Sequence, residues 1–478
     1  MTIGRKQELA EFNRLYNSGN AEFVAVYGRR RVGKTYLINE ALAGKITFHH
    51  AGLSPVEGTK QNGMKQQLQQ FYYSLLMQGM PKSHCPKSWL EAFYMLEKHL
   101  QAIDDGSRQV VFLDELPWMD TPRSGFVTAL EGFWNGWASA RHNLMLVVCG
   151  SSSSWILNNL INNHGGLYGR VTREIYLRPF TLAECEAFYT DKHIPFSRYD
   201  IVQSYMILGG IPYYMGYMEQ NKSFAQNIDN LLFRDKAPLS DEYERLFRSI
   251  FVKPDATKRI IEVLATRHKG YTRTEISQKT GIPTSGDFSK LLQALVSSNF
   301  AEEYVPFGCS KRDVHYKLID PFCWFYLRFV RTRTAYTEQF WQQHSEDASI
   351  VSWRGFAFEL VCMNHIQAIK QALGIQGIST TQSAWTTSGD EQKEGTQIDM
   401  LIERKDNVVN MCEMKFYSDE FTVDKAYHLT LMHRQEMLRP YLSRKQSIIS
   451  TLITTFGLKQ TGYWGDFPQV VTMDDLFR

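Results

Sequence analysis

Residues 26–37 read VYGRRRVGKTYL, and this stretch decides how the first half of the chain folds. Gly28, Gly33, Lys34 and Thr35 stand in the order G-x-x-x-x-G-K-T. An apolar strand-like run precedes them and a helix opens after them, the setting in which such a loop wraps phosphate groups. The glycines let backbone N–H groups curl around phosphate oxygens, with Arg29, Arg30, Arg31, Val32 and Tyr36 completing the loop. Lys34 is expected to set its ammonium on the β- and γ-phosphates, and Thr35 to give its hydroxyl to Mg²⁺. The helix N-terminus adds partial positive charge.

Working outward, residues 1–180 alternate strand-like and helix-like segments. EFVAVYG, KITFHHAG, QVVFLDEL, LMLVVCGSS and EIYLRPF are short apolar runs. Several are continuous rather than alternating, as expected of parallel strands buried on both faces. Between them lie helical stretches such as KQQLQQFYYSLLMQ and SWLEAFYMLEKHLQAI, which predicts an α/β layered domain. A phosphate loop needs a second, carboxylate-bearing strand, and QVVFLDEL supplies one. Asp114 is placed to hold the Mg²⁺ shell and Glu115 to polarise an attacking water. The third strand ends in a serine run, where Ser151 or Ser152 either lies next to the γ-phosphate or caps a helix.

The stretches IGRKQEL, the phosphate loop, FLDE, CGSS, LYGRV and LGGIPYY occur in this order. Together they resemble the archaeal-type ATPases of the signal-transduction (STAND) branch close to AAA+ proteins. The resemblance covers roughly the first half of the chain. It implies ATP and Mg²⁺ as cofactors, modest or switch-like turnover, and a helical lid whose Gly210, Ile211 and Pro212 contact the adenine. On the residues alone, GGIP is equally a helix break. Arg170, in LYGRV, either reaches a γ-phosphate, in cis or from a neighbouring subunit, or makes a surface salt bridge.

Farther along, KRIIEVLATRH, TRTEISQKTG and GDFSKLLQALVSSNF read as three short helices, and AEEYVPFG and DVHYKLID as a hairpin. This is the pattern of a winged helix. The second helix of its helix–turn–helix carries mainly Lys290 and a few serines, with Asp287 at the N-terminal end, and Arg267, Lys269 and Arg273 make a modest basic edge. DNA readers usually show more Arg and Lys, so an interdomain spacer and a DNA-contacting module both remain open.

The stretch TQIDMLIERKDNVVNMCEMKFYS, residues 396–418, reads as two strands joined by a turn. Glu413 and Lys415 fall on one face of an otherwise apolar strand, and burying unpaired charge there costs several kcal/mol. The turn brings Asp399 toward Glu413. Two carboxylates beside a lysine suit a Mg²⁺ site acting on a phosphodiester, or else form a self-neutralising cluster. The spacing D-x(13)-E-x-K resembles the PD-(D/E)xK nuclease superfamily, although Ile398 stands where that motif has proline. The resemblance covers about the last 130 residues. It implies a further acidic residue from an earlier helix, and Glu359 in WRGFAFELVCMNHI occupies that place.

The expected fold is therefore multidomain α/β. A P-loop NTPase core with a parallel sheet spans 1–180, a helical lid 181–250, a winged helix and linker 251–335, and a restriction-endonuclease-like α/β domain 336–478. The chain has 478 residues, 43% of them hydrophobic and 22% charged, ordinary for a globular protein. A net charge of +3 is too mild to argue for nucleic acid by itself. Seven scattered cysteines without a CxxC pair point to neither zinc nor disulfides. The N-terminal residues lack a signal-peptide pattern and no apolar run suits a membrane span, so the expected place is the cytoplasm. ATP is the expected ligand, with DNA, a second copy of the chain or another protein as partner and no membrane.

Overall fold

The computed structural model describes residues 2–54, 63–162, 165–310, 312–332, 338–389 and 394–478. Its packing divides the chain into two compact units. One comprises residues 1–179, 244–257 and 290–299, the other residues 180–243, 258–289 and 300–478.

The first unit is built on five parallel strands, β1 (Glu22–Tyr27), β2 (Ile46–Ala51), β3 (Gln109–Asp114), β4 (Leu144–Gly150) and β5 (Arg173–Tyr176). Their spatial order is β2-β3-β4-β1-β5. β1, β3 and β4 are buried at every position, which is why their sequences are continuously apolar. Phe23, Val111, Leu113, Leu146 and Val148 share one core with Phe71, Leu96, Leu130 and Phe133. Strands β1, β3 and β4 lie side by side, so their C-terminal ends bring the phosphate loop, Asp114–Glu115 and Gly150–Ser151 to one edge. The chain is thus a multidomain α/β protein whose parallel five-stranded sheet matches a P-loop ATPase fold.

In the second unit, the helices Leu182–Asp191 and Arg198–Leu208 each open on a reciprocal capping box, Thr181 with Glu184 and Ser197 with Asp200. Gly209 and Gly210 then turn left-handed, with φ of 66° and 65°. A Cβ at Gly210 would meet the Phe180 carbonyl oxygen at 2.5 Å, so only glycine fits. Pro212 opens the next short helix. A three-stranded antiparallel sheet follows, in the order β6-β8-β7, from β6 (Tyr271–Thr272), β7 (Ala301–Tyr304) and β8 (His315–Leu318). Beyond its tip, Phe307 donates its N–H to Ala384 O at 3.1 Å and packs into the apolar cluster of the last sheet.

That last sheet is mixed, in the order β13-β12-β11-β10-β9. β9 (Thr380–Gly389), β10 (Glu394–Arg404) and β11 (Val408–Lys415) are antiparallel; β12 (Ser447–Thr454) and β13 (Gln469–Thr472) run parallel to β11. The helix Lys425–Leu438 is the crossover that parallel pairing of β11 and β12 requires. The sequence reading from residue 350 onward expected one helix, three strands, a helix and one strand. The four-residue β13 is a further strand, too short to carry a period of its own. The aromatic run from Phe322 begins as the helix Pro321–Phe325 and continues as a helical turn to Val330, and its end lies outside the described residues. Among the described residues no helix is long and apolar enough to cross a membrane.

Candidate functional site

The phosphate loop closes tightly. Gly28 has φ 146°, and a Cβ there would sit 2.2 Å from Leu177 O. Gly33, at φ 91°, is the N-cap of the helix Lys34–Ala41. Lys34 is buried and its ammonium donates to Gly28 O and Arg29 O, both at 3.1 Å, and to Ser151 Oγ at 3.2 Å. Burial pulls its pKa down, with Glu115, Cys149 and Asp114 drawing it back.

Thr35 Oγ1 donates to Asp114 Oδ2 at 2.9 Å, so the two groups expected to share Mg²⁺ are in direct contact. Asp114 Oδ1 accepts from the Cys149 thiol at 2.6 Å and from the Glu115 N–H at 2.8 Å. Burial pushes that thiol's pKa up, so it stays a donor. Ser151 donates from its backbone N–H and hydroxyl to the two oxygens of Glu115, at 3.0 and 2.6 Å. Glu115 itself adopts φ 47°, a left-handed conformation that costs a non-glycine residue about 1 kcal/mol or more and that clusters at functional sites. Ser151 therefore bridges Lys34 and Glu115. Ser152 holds the N-cap position of the helix Ser153–Ile156 without a side-chain capping bond. Arg29 is buried and Tyr36 is 53% exposed. Arg30 lies over the Trp118 ring at 5.8 Å, and Arg31 has φ 73°. Val32 is buried, and its carbonyl lies 3.4 Å from the Arg5 guanidinium, which also donates to Arg178 O at 2.8 Å. Arg5 is a loop-fixing contact that the sequence reading did not identify. Arg170 is exposed.

Residues 3–218 match the family described as an ATPase domain predominantly from Archaea. This stretch is thus similar to an archaeal-type ATPase domain. A protein of Methanocaldococcus jannaschii is 25% identical to this chain over 364 residues, 76% of each. An ATP-binding protein of the same organism is 47% identical over 45 residues, 9% of this chain and 76% of its own. Among solved structures, a Walker-type ATPase of Pyrococcus abyssi is similar with a TM-score of 0.48 at 19% identity, over 68% of this chain and 96% of that one. The ORC2 protein of Aeropyrum pernix, in ADPNP–ADP complexes, gives 0.41 at 12% identity, over 66% and 90%.

Beyond the ATPase domain, the second unit gathers the other predicted residues. On β11, Val409, Met411, Glu413 and Lys415 alternate onto one face. Leu431 and Leu438 of the crossover helix cover Val409 and Met411 there. Glu413 is fully buried. Its Oε2 accepts from Tyr427 OH at 2.7 Å, lies 3.4 Å from Lys415 Nζ and pairs with the Arg434 guanidinium. Lys415 Nζ is also 3.7 Å from Asp399 Oδ2. β10 carries a bulge between Ile398 and Leu401. Asp399 sits in it and accepts the Met414 N–H at 3.2 Å, a device that re-aims a side chain. Burial raises the Asp399 pKa, with Glu413 adding and Lys415 opposing. Glu359, in the helix Ala348–Asn364, is pushed up to about 8 by burial and then by Asp399.

Asp399, Glu413 and Lys415 are thus brought together, with Glu359 in their electrostatic reach. Among the described residues no group of three or more His, Cys, Asp or Glu is arranged to hold a metal. The donor set is two carboxylates on one lysine, with Glu413 Oε1 buried and without a hydrogen bond. That unsatisfied oxygen fits a cation held by two carboxylates and solvent. Sequence reasoning missed Tyr427 and Arg434. Their signal was the i, i+4, i+7, i+11 spacing of Tyr427, Leu431, Arg434 and Leu438 on one helix face.

Proposed function

We propose that the chain is an ATP-hydrolysing switch or motor coupled to a C-terminal nuclease-like domain that acts on DNA with Mg²⁺. The observation that carries the first half is the single cluster formed by Lys34, Thr35, Asp114, Glu115 and Ser151. Lys34 holds phosphate oxygens, Thr35 and Asp114 hold Mg²⁺, Glu115 takes the proton of the attacking water, and Ser151 keeps Glu115 and Lys34 in register. Bound Mg²⁺ there neutralises phosphate charge. Gly210, Ile211 and Pro212 are assigned to the adenine and Arg170 to the γ-phosphate on the family resemblance.

In the C-terminal unit, Asp399 and Glu413 would hold Mg²⁺, which polarises a phosphodiester, while Lys415 stabilises developing negative charge. Glu359 is assigned to the same site. Residues 251–335 serve as a winged-helix spacer in this reading. Its basic edge is engaged internally, with Arg267 paired to Glu275 and Arg273 bonded to Ser285 O, and Phe307 beyond the hairpin tip is docked on the last sheet. The test is purified protein with plasmid or single-stranded DNA, Mg²⁺ or Mn²⁺, with and without ATP. Metal-dependent cleavage is expected, and equal background from wild type and the Glu413→Ala, Lys415→Ala double variant removes the nuclease assignment.

One observation favours a second reading. Arg434 and Lys415 already face Glu413 with opposite charge, as in a retained but inactive site on a nucleotide-dependent signalling or scaffold ATPase that binds a partner. No cleavage under any condition, together with loss of an oligomer or partner complex in Lys34→Ala, selects that reading.

A further inference from the structure

The two oxygens of Glu413 are treated differently. Oε2 receives Tyr427 OH, the Arg434 guanidinium and the Lys415 ammonium. Oε1 is buried and carries no hydrogen bond. Three further buried polar atoms share that state, Arg434 Nε and Nη1 and Thr454 Oγ1. Thr454 pairs in register with Lys415 across β11 and β12, so it stands on the same face. A buried polar atom without a partner is costly, and native proteins usually satisfy such atoms with water, an ion or a ligand. One carboxylate oxygen held by a tyrosine hydrogen bond and two ion pairs while the other is bare is how a ligating side chain is held in orientation by its outer neighbours. The two grips come from one helix. Tyr427 and Arg434 lie seven residues apart on the face whose Leu431 and Leu438 are packed into the core, so their positions are fixed by burial.

We propose that Tyr427 and Arg434 are positioning residues that clamp Glu413 through Oε2 and thereby present Oε1 to a divalent cation. This rests on the reading of Asp399 and Glu413 as a cation site, and the test separates the two. Mn²⁺ alone is titrated into the full chain and free Mn²⁺ is followed by electron paramagnetic resonance, without nucleotide or DNA. All variants carry Asp114→Asn, which removes the β3 carboxylate beside the phosphate loop from the measurement. The parent is expected to bind one Mn²⁺ that Glu413→Gln abolishes. Tyr427→Phe weakens it 10- to 100-fold at an unchanged melting temperature, Arg434→Met weakens it as much, and Arg434→Lys restores part of the loss. If Glu413→Gln abolishes binding while Tyr427→Phe and folded Arg434→Met bind as tightly as the parent or more tightly, the clamp is overturned and the cation site stands. If the parent takes up no Mn²⁺, the cation reading falls, and the clamp with it.

Discussion

The phosphate loop and the acidic hairpin are two ways to hold charge inside a protein. In the loop, the cation Lys34 is satisfied by two backbone carbonyls and one serine, all supplied by segments at one edge of a parallel sheet. In the hairpin, the buried Glu413 is held through Oε2 by three side chains, two of them from a crossover helix that follows in sequence. Backbone geometry imposes strict local residue choices, so the first site is written in consecutive letters. Side-chain partners need only a shared face, so the second is spread over scattered positions.

The contrast can be broken most sharply at Lys34. Lys34→Ala should remove ATP-induced thermal stabilisation and lower hydrolysis at least about 10³-fold, roughly 4 kcal/mol, while Mn²⁺ uptake by the hairpin is unchanged. Equal thermal shifts with ATP in mutant and wild type would end the assignment of the loop. Next in size is Glu413→Ala, which leaves Arg434 without its buried counter-charge. Breaking a buried pair from one side costs about 3–5 kcal/mol, read by denaturant unfolding of the second unit. A loss under about 1 kcal/mol would mean the pair behaves as a surface one.

A smaller effect is read by pH in the second unit. His365 is held to about 4 by burial, and its Nε2 accepts the Leu182 N–H at 2.9 Å. This folded-state value lies below the unfolded value. The stability it contributes is therefore complete above pH 6.5 and is lost as pH falls toward 4. Lowering pH from 7 to 5 should cost the second unit about 1–2 kcal/mol, and His365→Gln should flatten that slope in thermal melts. The smallest effect sharpens the loop itself. Ser151→Ala should slow hydrolysis about tenfold, near 1.4 kcal/mol, with nucleotide affinity little changed. A loss of affinity instead would make Ser151 a binding residue.

The elements most legible in sequence were those with a strict local requirement. The continuous apolar runs of β1, β3 and β4 gave the buried parallel strands, and Gly28 and Gly33 gave the loop. The bulge at Asp399 was not legible, because strict alternation along TQIDMLIE assigns no extra residue. Nor were Tyr427, Arg434 and Arg5, each an ordinary residue on a helix or at its start until a partner from elsewhere meets it. The packing of the helices from Phe180 onward with the C-terminal half was also invisible, since their amphipathic faces do not say which neighbour they cover.

The amino-acid order alone thus determined the nucleotide-binding edge of this protein. Backbone conformation in the loop and burial of a strand on both faces act over a few neighbouring residues. Only the tertiary structure decided which side chains neutralise Glu413, where Asp399 points and which unit the helices after Pro179 join. Those outcomes depend on contacts between residues far apart in the chain, and burial rewards any partner of suitable shape and charge that the fold happens to bring there.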